Sequence, residues 1–93
     1  MTIEQIAEIR QKIDKIDEQI IDNLAKRTKL ARELAPYKNQ LRDLYREEEI
    51  LNRLKYQASI NDLDTKLVEV IYNLFFNNSI MAIKKIKKDA DNL

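Results

Sequence analysis

The N-terminal part of the chain carries an apolar stripe with helical spacing. Isoleucine recurs every three or four positions from Ile3 to Ile20, and leucine and alanine continue the series to Leu34. Charged side chains fill most of the positions between them, whereas a strand would alternate apolar and polar residues. The pattern predicts an amphipathic helix of unusual length, from about Thr2 to about Leu41.

Two features bear on the ends of this helix. Thr2 and Gln5 have the spacing of a capping box, in which each side chain binds the backbone N–H of the other residue. Pro36 lacks a backbone N–H, and its ring clashes with the carbonyl of Arg32 if the helix continues. We therefore expect either a kink between Arg32 and Pro36 or an early end of the helix.

A second, shorter helix is predicted from about Asp43 or Leu44 to about Ala58. Asp43 is a suitable N-cap residue. The segment Ser59–Asp62 has the composition of a turn. The predicted apolar face of this helix consists of Leu44, Ile50, Leu51 and Leu54.

A third helix of medium length is predicted from Asp64, as N-cap, to about Lys88. Its last turns are rich in lysine, which suits the negative C-terminal end of the helix dipole. Its predicted apolar face consists of Leu67, Val68, Ile71, Leu74, Phe75, Ile80, Ile83 and Ile86.

Together these elements predict an all-α fold in a single domain, residues 1–93, with one very long, one short and one medium helix. The first helix would be about 60 Å long at about 1.5 Å per residue. The two shorter helices cannot cover an apolar stripe of that length within one compact chain, and the uncovered part would be a large exposed patch. We therefore predict an intertwined homodimer with two-fold symmetry.

The residue types that are missing narrow the possible chemistry. The 93 residues include no His, no Cys and no Gly. Thiol and imidazole catalysis, the usual zinc sites and glycine-rich phosphate loops are thereby excluded. The formal net charge of +1 gives no reason to expect a nucleic acid partner. Because no apolar run could span a membrane and no signal-peptide pattern is present, we expect a cytoplasmic protein without a membrane partner.

Polar residues interrupt the predicted apolar faces at a few positions. Positions 6, 13, 20, 27, 34 and 41 lie seven apart and hold Ile, Ile, Ile, Arg, Leu and Leu, so Arg27 stands where a core residue is expected. If the first helix is straight, Lys38 lies about 20° from Arg27 around its axis and about 16 Å along it. Glu47 lies on the apolar side of the second helix, and Ser79 on that of the third.

Taken singly, these residues have ordinary explanations. Arg27 or Lys38 can extend to solvent or pair with an acid. Glu47 can form a surface ion pair, and the Ser79 hydroxyl can bond to its own helix. Polar groups from three helices that face one apolar interior nevertheless need partners. Two cations and one anion leave positive charge over, which predicts a pocket for a carboxylate ligand.

Arg10 is a further cation on the first helix. It lies about 25 Å from Arg27 along a straight helix and about 100° around the axis, so it cannot serve the same pocket within one chain. In a two-fold dimer with antiparallel long helices, Arg10 of the partner subunit can reach that pocket.

The spacing of these charges matches the pattern of a known family. The matching positions are Arg10, Asp17, Arg27 and Lys38 on the first helix, Asp43, Arg46 and Glu47 at the start of the second, Leu63-Asp64 before the third, and Ser79 within it. Through them the chain resembles the small all-helical chorismate mutases over nearly its whole length.

The resemblance implies an isomerase of aromatic amino acid biosynthesis, which converts chorismate to prephenate by a Claisen rearrangement without cofactor, metal or covalent intermediate. It also implies that Arg27 and Arg10 of the partner subunit clamp the carboxylates of the chorismate dianion. Lys38 would contact a carboxylate and the ether oxygen. A pericyclic step needs neither a nucleophile nor a general base, so the missing His and Cys are no obstacle.

The remaining roles follow from the same resemblance. Arg46 would support the anionic end of the substrate. Glu47, with Asp43 nearby, would receive the ring hydroxyl, and Ser79 would line the pocket.

The chain departs from the family at Ile83, where Gln, or Glu in some members, donates to the ether oxygen. Isoleucine cannot donate, and losing one such donor typically lowers the rate by about 10²–10³. The connection from Lys38 to Asp43 is also several residues shorter than in the family. We therefore expect slow turnover and keep two alternatives. One is a related enzyme, such as an isochorismate pyruvate lyase or an aminodeoxychorismate mutase. The other is a non-catalytic helical dimer with a regulatory or structural role.

Overall fold

The computed structural model describes residues 1–38, 40 and 42–91. These residues contain the helices α1 (Ile3–Leu34), α2 (Leu44–Ile60) and α3 (Thr65–Asp91), with a short 3₁₀ helix at Ala35–Tyr37, and no strand. The predicted all-α fold with one long, one short and one medium helix is thereby confirmed. The single domain and the homodimer stay predictions.

The capping box at the start of α1 is formed as predicted. The backbone N–H of Thr2 donates to Gln5 Oε1 at 2.8 Å, and that of Gln5 donates to Thr2 Oγ1 at 3.1 Å. Two backbone donors that have no partner within the helix are thereby satisfied.

Of the two outcomes expected at Pro36, the early end of the helix is confirmed, so α1 does not continue to Leu41. It has 32 residues and stops at Leu34, and Pro36 lies in the 3₁₀ helix that follows. Proline fits the first positions of a 3₁₀ turn, where its missing N–H would have no helical partner. Leu41, where we expected the helix to end, lies outside the described residues.

Helix α2 begins where predicted and ends two residues later. Asp43 Oδ1 accepts a hydrogen bond from the Arg46 backbone N–H at 3.0 Å, which confirms Asp43 as N-cap. Ser59 and Ile60, which we expected in a turn, still belong to the helix.

The end of α2 is a Schellman motif. The N–H of Leu63 donates to the Ala58 carbonyl at 2.9 Å, and that of Asp62 donates to the Ser59 carbonyl at 3.4 Å. Asp62 takes the left-handed conformation that this motif requires, with φ of 54°. In a chain without glycine, an aspartate therefore ends the helix.

Helix α3 begins after Asp64, whose Oδ1 accepts from the Lys66 N–H at 2.9 Å. It continues to Asp91, three residues beyond Lys88. Neither proline nor glycine interrupts the sequence there, so nothing local stops the helix earlier.

The described chain divides into two compact units, Met1–Ala31 and Arg32–Leu93. In the second unit α2 packs against α3, and α3 also packs against the 3₁₀ helix. The buried core residues are Ala35, Ile50, Ala58, Val68, Phe76 and Ile83. Leu44 and Leu74, which we placed on apolar faces, are more than half exposed, whereas Phe76 is buried.

The α2–α3 packing also includes polar and aromatic contacts. Lys55 Nζ lies 3.4 Å from a Glu69 carboxylate oxygen across the two helices, and both side chains are partly exposed. Such a pair contributes little to the free energy of folding. Tyr72 makes edge-on ring contacts with Phe75 and Phe76.

In the first unit the apolar stripe of α1 remains largely exposed. No residue of α1 is buried, and Ile13, Ile16 and Ile20 are each half exposed or more. Among the helices of the described ranges, none combines the length and the apolar character that crossing a membrane requires.

Candidate active site

The first turn of α2 carries three of the predicted site residues. Asp43 caps the helix, and its carboxylate is engaged with the Arg46 backbone. The Arg46 side chain forms an ion pair with Glu49 on the exposed side of the same helix. In this arrangement the Arg46 guanidinium is bound to its own helix, and its predicted contact with a substrate stays a prediction.

Glu47 is the most enclosed carboxylate at this end of α2. Its side chain is 13% exposed, in keeping with its place on the apolar side of the helix. The Arg42 guanidinium binds both oxygens of this carboxylate. Its single Nε–H is shared between Oε1 at 3.1 Å and Oε2 at 3.0 Å, and Nη2 donates to Oε1 at 2.9 Å.

Sequence reasoning overlooked Arg42. It stands directly before the N-cap and five positions before Glu47. Contacts on a helix surface join residues three or four apart, so helical periodicity gave no reason to pair these two. A useful sequence signal would have been an arginine directly before a helix whose first turn carries a glutamate on its apolar side.

Arg27 lies on the least exposed stripe of α1. It is half-buried, as are Leu24, Thr28 and Ala31, which share its face at helical spacing. The Thr28 hydroxyl donates to the Leu24 carbonyl at 2.8 Å, so this residue satisfies its polar group within the helix. Arg10 and Asp17, further toward the N-terminus, are exposed.

The predicted register of Lys38 on the first helix is wrong. Because α1 ends at Leu34, Lys38 follows the 3₁₀ helix in extended conformation, with φ of −87° and ψ of 128°. The angle and distance from Arg27 that a straight helix implies therefore do not apply. Its backbone N–H donates to the Ala35 carbonyl at 3.2 Å, and the residue is half-buried.

Ser79 and Ile83 lie one turn apart on the same face of α3. Ser79 is half-buried, and Ile83 is 3% exposed. Ile83, where the resemblance implies a donor to the ether oxygen, is therefore apolar and enclosed.

The structure thus brings Asp43, Arg46 and Glu47 together at the start of α2, and Ser79 and Ile83 together on α3. Arg10 and Arg27 belong to the unit Met1–Ala31, which is described by itself. The chemistry available is that of a binding site: cationic groups for carboxylates and one held carboxylate that can accept from a hydroxyl.

Comparison with known proteins agrees with this inventory. The family model for chorismate mutase type II matches residues 9–88, which include every residue from Arg10 to Ile83 discussed above. A chorismate mutase of Methanocaldococcus jannaschii is 32% identical over 94 residues, covering 97% of this chain and 95% of that protein.

A bifunctional chorismate mutase/prephenate dehydratase of Buchnera aphidicola subsp. Schizaphis graminum is 35% identical over 81 residues. The match covers 83% of this chain but 21% of the bifunctional protein. Since the family model covers most of the chain and the archaeal relative matches along nearly its whole length, the chain belongs to the chorismate mutase type II family.

Proposed function

We propose that this protein is a chorismate mutase, an isomerase that converts chorismate to prephenate. The observation that carries the proposal is the family match over residues 9–88, which spans the whole set of charged residues that sequence reasoning singled out. The relative that matches along nearly its whole length is itself named a chorismate mutase. Neither comparison favours a lyase or a non-catalytic dimer.

The reaction breaks the ether C–O bond of chorismate while a new C–C bond forms within the same molecule. No proton, metal or covalent intermediate takes part. The protein contributes by holding the substrate in its compact conformer and by stabilising the negative charge that builds on the ether oxygen. A chain without His or Cys can supply both contributions through arginine and lysine.

In this proposal the cations divide between the substrate's carboxylates and its ether oxygen. Arg27 and Arg10 of the partner subunit clamp the carboxylates, and Lys38 contacts one carboxylate and the ether oxygen. The half-buried state of Arg27 and Lys38 supports these roles, because a partly desolvated cation attracts an anion more strongly than one in open solvent.

The start of α2 receives the other parts of the substrate. Glu47 accepts the ring hydroxyl, and Asp43 lies within the same turn. Arg46 supports the anionic end, and Ser79 lines the pocket. The low exposure of the Glu47 side chain supports its role as the acceptor.

Ile83 makes the enzyme slow. It leaves Lys38 as the donor to the ether oxygen in this scheme, and the loss of a second donor lowers the rate by about 10²–10³. Because Ile83 is buried, a water molecule cannot readily take the place of the missing side chain.

The site requires a homodimer. Arg10 and Arg27 lie about 25 Å apart along α1, so a single chain cannot place both on one substrate. Arg10 is exposed, and the half-exposed isoleucines of α1 offer an apolar surface for a second copy.

The test is a direct assay of the purified protein with chorismate and, in parallel, isochorismate, without added metal or cofactor. We expect chorismate to be consumed and prephenate to appear in equal amount. Release of pyruvate from isochorismate would instead identify a lyase. No turnover of either compound above the uncatalysed rate would favour the non-catalytic dimer.

A further inference from the structure

Arg42 and Glu47 form a forked ion pair, in which two nitrogens of the guanidinium face the carboxylate. The guanidinium presents Nε and Nη2 side by side to the carboxylate, with all three donor–acceptor distances between 2.9 and 3.1 Å. A charged, forked contact of this kind fixes the direction of the carboxylate as well as its charge.

The two partners differ in exposure. The Glu47 side chain is 13% exposed, whereas that of Arg42 is 48% exposed. Arg42 thus approaches from the solvent side and holds an inner carboxylate in place. Its backbone is anchored next to the N-cap, since Asp43 directly follows it and binds the Arg46 N–H.

Counting acceptor positions shows what the pair leaves open. A carboxylate has about four lone-pair positions, whereas Arg42 supplies two N–H groups: Nη2–H binds Oε1, and the single Nε–H is shared between Oε1 and Oε2. Oε2, which receives only a share of the Nε–H bond, therefore keeps room for a further donor such as a hydroxyl.

Charge supplies a second reason for the pair. The substrate in the proposed function is a dianion, and an uncompensated carboxylate beside it would repel it. A guanidinium bound to that carboxylate offsets the repulsion, and Oε2 keeps room for the hydroxyl.

We infer that Arg42 is a positioning residue, which orients and neutralises Glu47 so that Glu47 accepts the ring hydroxyl of the dianionic substrate. The inference rests on the proposed function, because it assigns a task to Glu47 in that site. Arg42 itself touches the carboxylate of Glu47, and its effect on the reaction passes through that carboxylate.

The test is a double-mutant cycle with Arg42→Ala, Glu47→Gln and the double variant. Removing Arg42 should lower kcat/KM for chorismate roughly tenfold, mainly by raising KM, because one charge-assisted contact is lost. In the Glu47→Gln background, where the side chain is neutral, the same change should have little further effect. If turnover is too slow to measure, the affinity of the same variants for prephenate can be measured by calorimetry and compared in the same cycle.

Two further variants separate charge from geometry. Arg42→Lys keeps the positive charge without the fork and should recover part of the lost affinity. Arg53→Ala removes an exposed arginine of α2 and should leave kcat/KM and KM for chorismate unchanged. Thermal unfolding of each variant reports any general loss of structure.

The outcomes distinguish the inference from the function on which it rests. Equal losses on removing Arg42 in both backgrounds, or no loss in either, would overturn the positioning role while the enzyme remains a mutase. No turnover of chorismate by the unmodified protein would overturn the proposed function, and the inference with it.

Discussion

Ile83 stands where the resemblance to the family implies a donor to the ether oxygen. It is buried and apolar at the position where a donor to the ether oxygen is expected. Stability and activity favour different residues at this position. Isoleucine stabilises the core, whereas glutamine would donate to the substrate. Exchanging the two residues should therefore change stability and rate in opposite directions.

Replacing Ile83 with Gln should raise kcat for chorismate by about tenfold to a hundredfold, because it restores a donor. The same change should lower the free energy of unfolding by about 1–3 kcal/mol, because a buried amide is not fully satisfied. Steady-state kinetics and urea unfolding measure the two effects. The control is Ile86→Gln on the same helix, which should reduce stability without any gain in rate. An unchanged or lower kcat for Ile83→Gln would place this side chain away from the ether oxygen.

Arg27 carries the binding of the substrate in the proposed site. Arg27→Ala should lower kcat/KM about 10²–10³-fold, because a charge pair with a carboxylate is lost. Circular dichroism should show nearly unchanged helix content. Arg32→Ala, on an exposed position of the same helix, serves as the matched control and should retain activity. Full activity of the Arg27→Ala variant would refute the assignment of the pocket.

The sequence was sufficient to single out residues but not to pair them. Arg27 and Glu47 interrupt apolar faces, and that interruption is visible in the pattern alone. The partner of Glu47 is not, because Arg42 reaches it from outside the helix, where no fixed spacing applies. Lys38 was misplaced for a related reason, since its position depends on where the preceding helix ends.

At the scale of elements, the ends of the helices decide where the site residues lie. Asp43 at the start of α2 fixes the turn that holds Glu47. Asp62 at the other end fixes the reversal into α3, which carries Ser79 and Ile83. The left-handed conformation of Asp62 is unfavourable for a residue with a side chain.

Asp62→Gly should therefore stabilise the protein by up to about 1 kcal/mol, because glycine adopts positive φ without strain. Thermal or urea unfolding measures the change. Asn61→Gly is the matched control: its φ is −102°, so glycine should bring no gain and should lower stability slightly. If both variants behaved alike, the strain at Asp62 would be negligible.

The positions of the helices followed from periodicity, whereas the C-terminal ends of all three did not. The capping residues Thr2 and Asp43 were predicted from their own chemistry, and both caps are formed. Pro36 left two outcomes open, a kink or an end, because its local effect is the same in both. The choice depends on whether packing elsewhere favours continuing the helix, and the pattern of one chain does not contain that information.

At the scale of the whole molecule, the proposed site combines residues of two chains. If Arg10 acts in the partner's site, a chain that lacks Arg10 and a chain that lacks Arg27 can complement each other. Their heterodimer contains one site with both arginines and one with neither.

We expect Arg10→Ala and Arg27→Ala to be nearly inactive when separate. After joint unfolding and refolding in equal amounts, the mixture should recover about a quarter of the unmodified activity, because half of the dimers are mixed and each has one complete site. A mixture that stays inactive would show that both arginines act within one chain. Sedimentation equilibrium should give a dimer, and a monomer would remove Arg10 from the site.

The sparse burial of α1 has a consequence for how the protein behaves on dilution. The isoleucines of α1 are half exposed, and in the proposed homodimer they are covered only when two chains meet. If the protein forms the proposed homodimer, its melting temperature should rise with protein concentration. Specific activity should then decline in very dilute samples, because the protein concentration sets the fraction of chains that are dimeric and active.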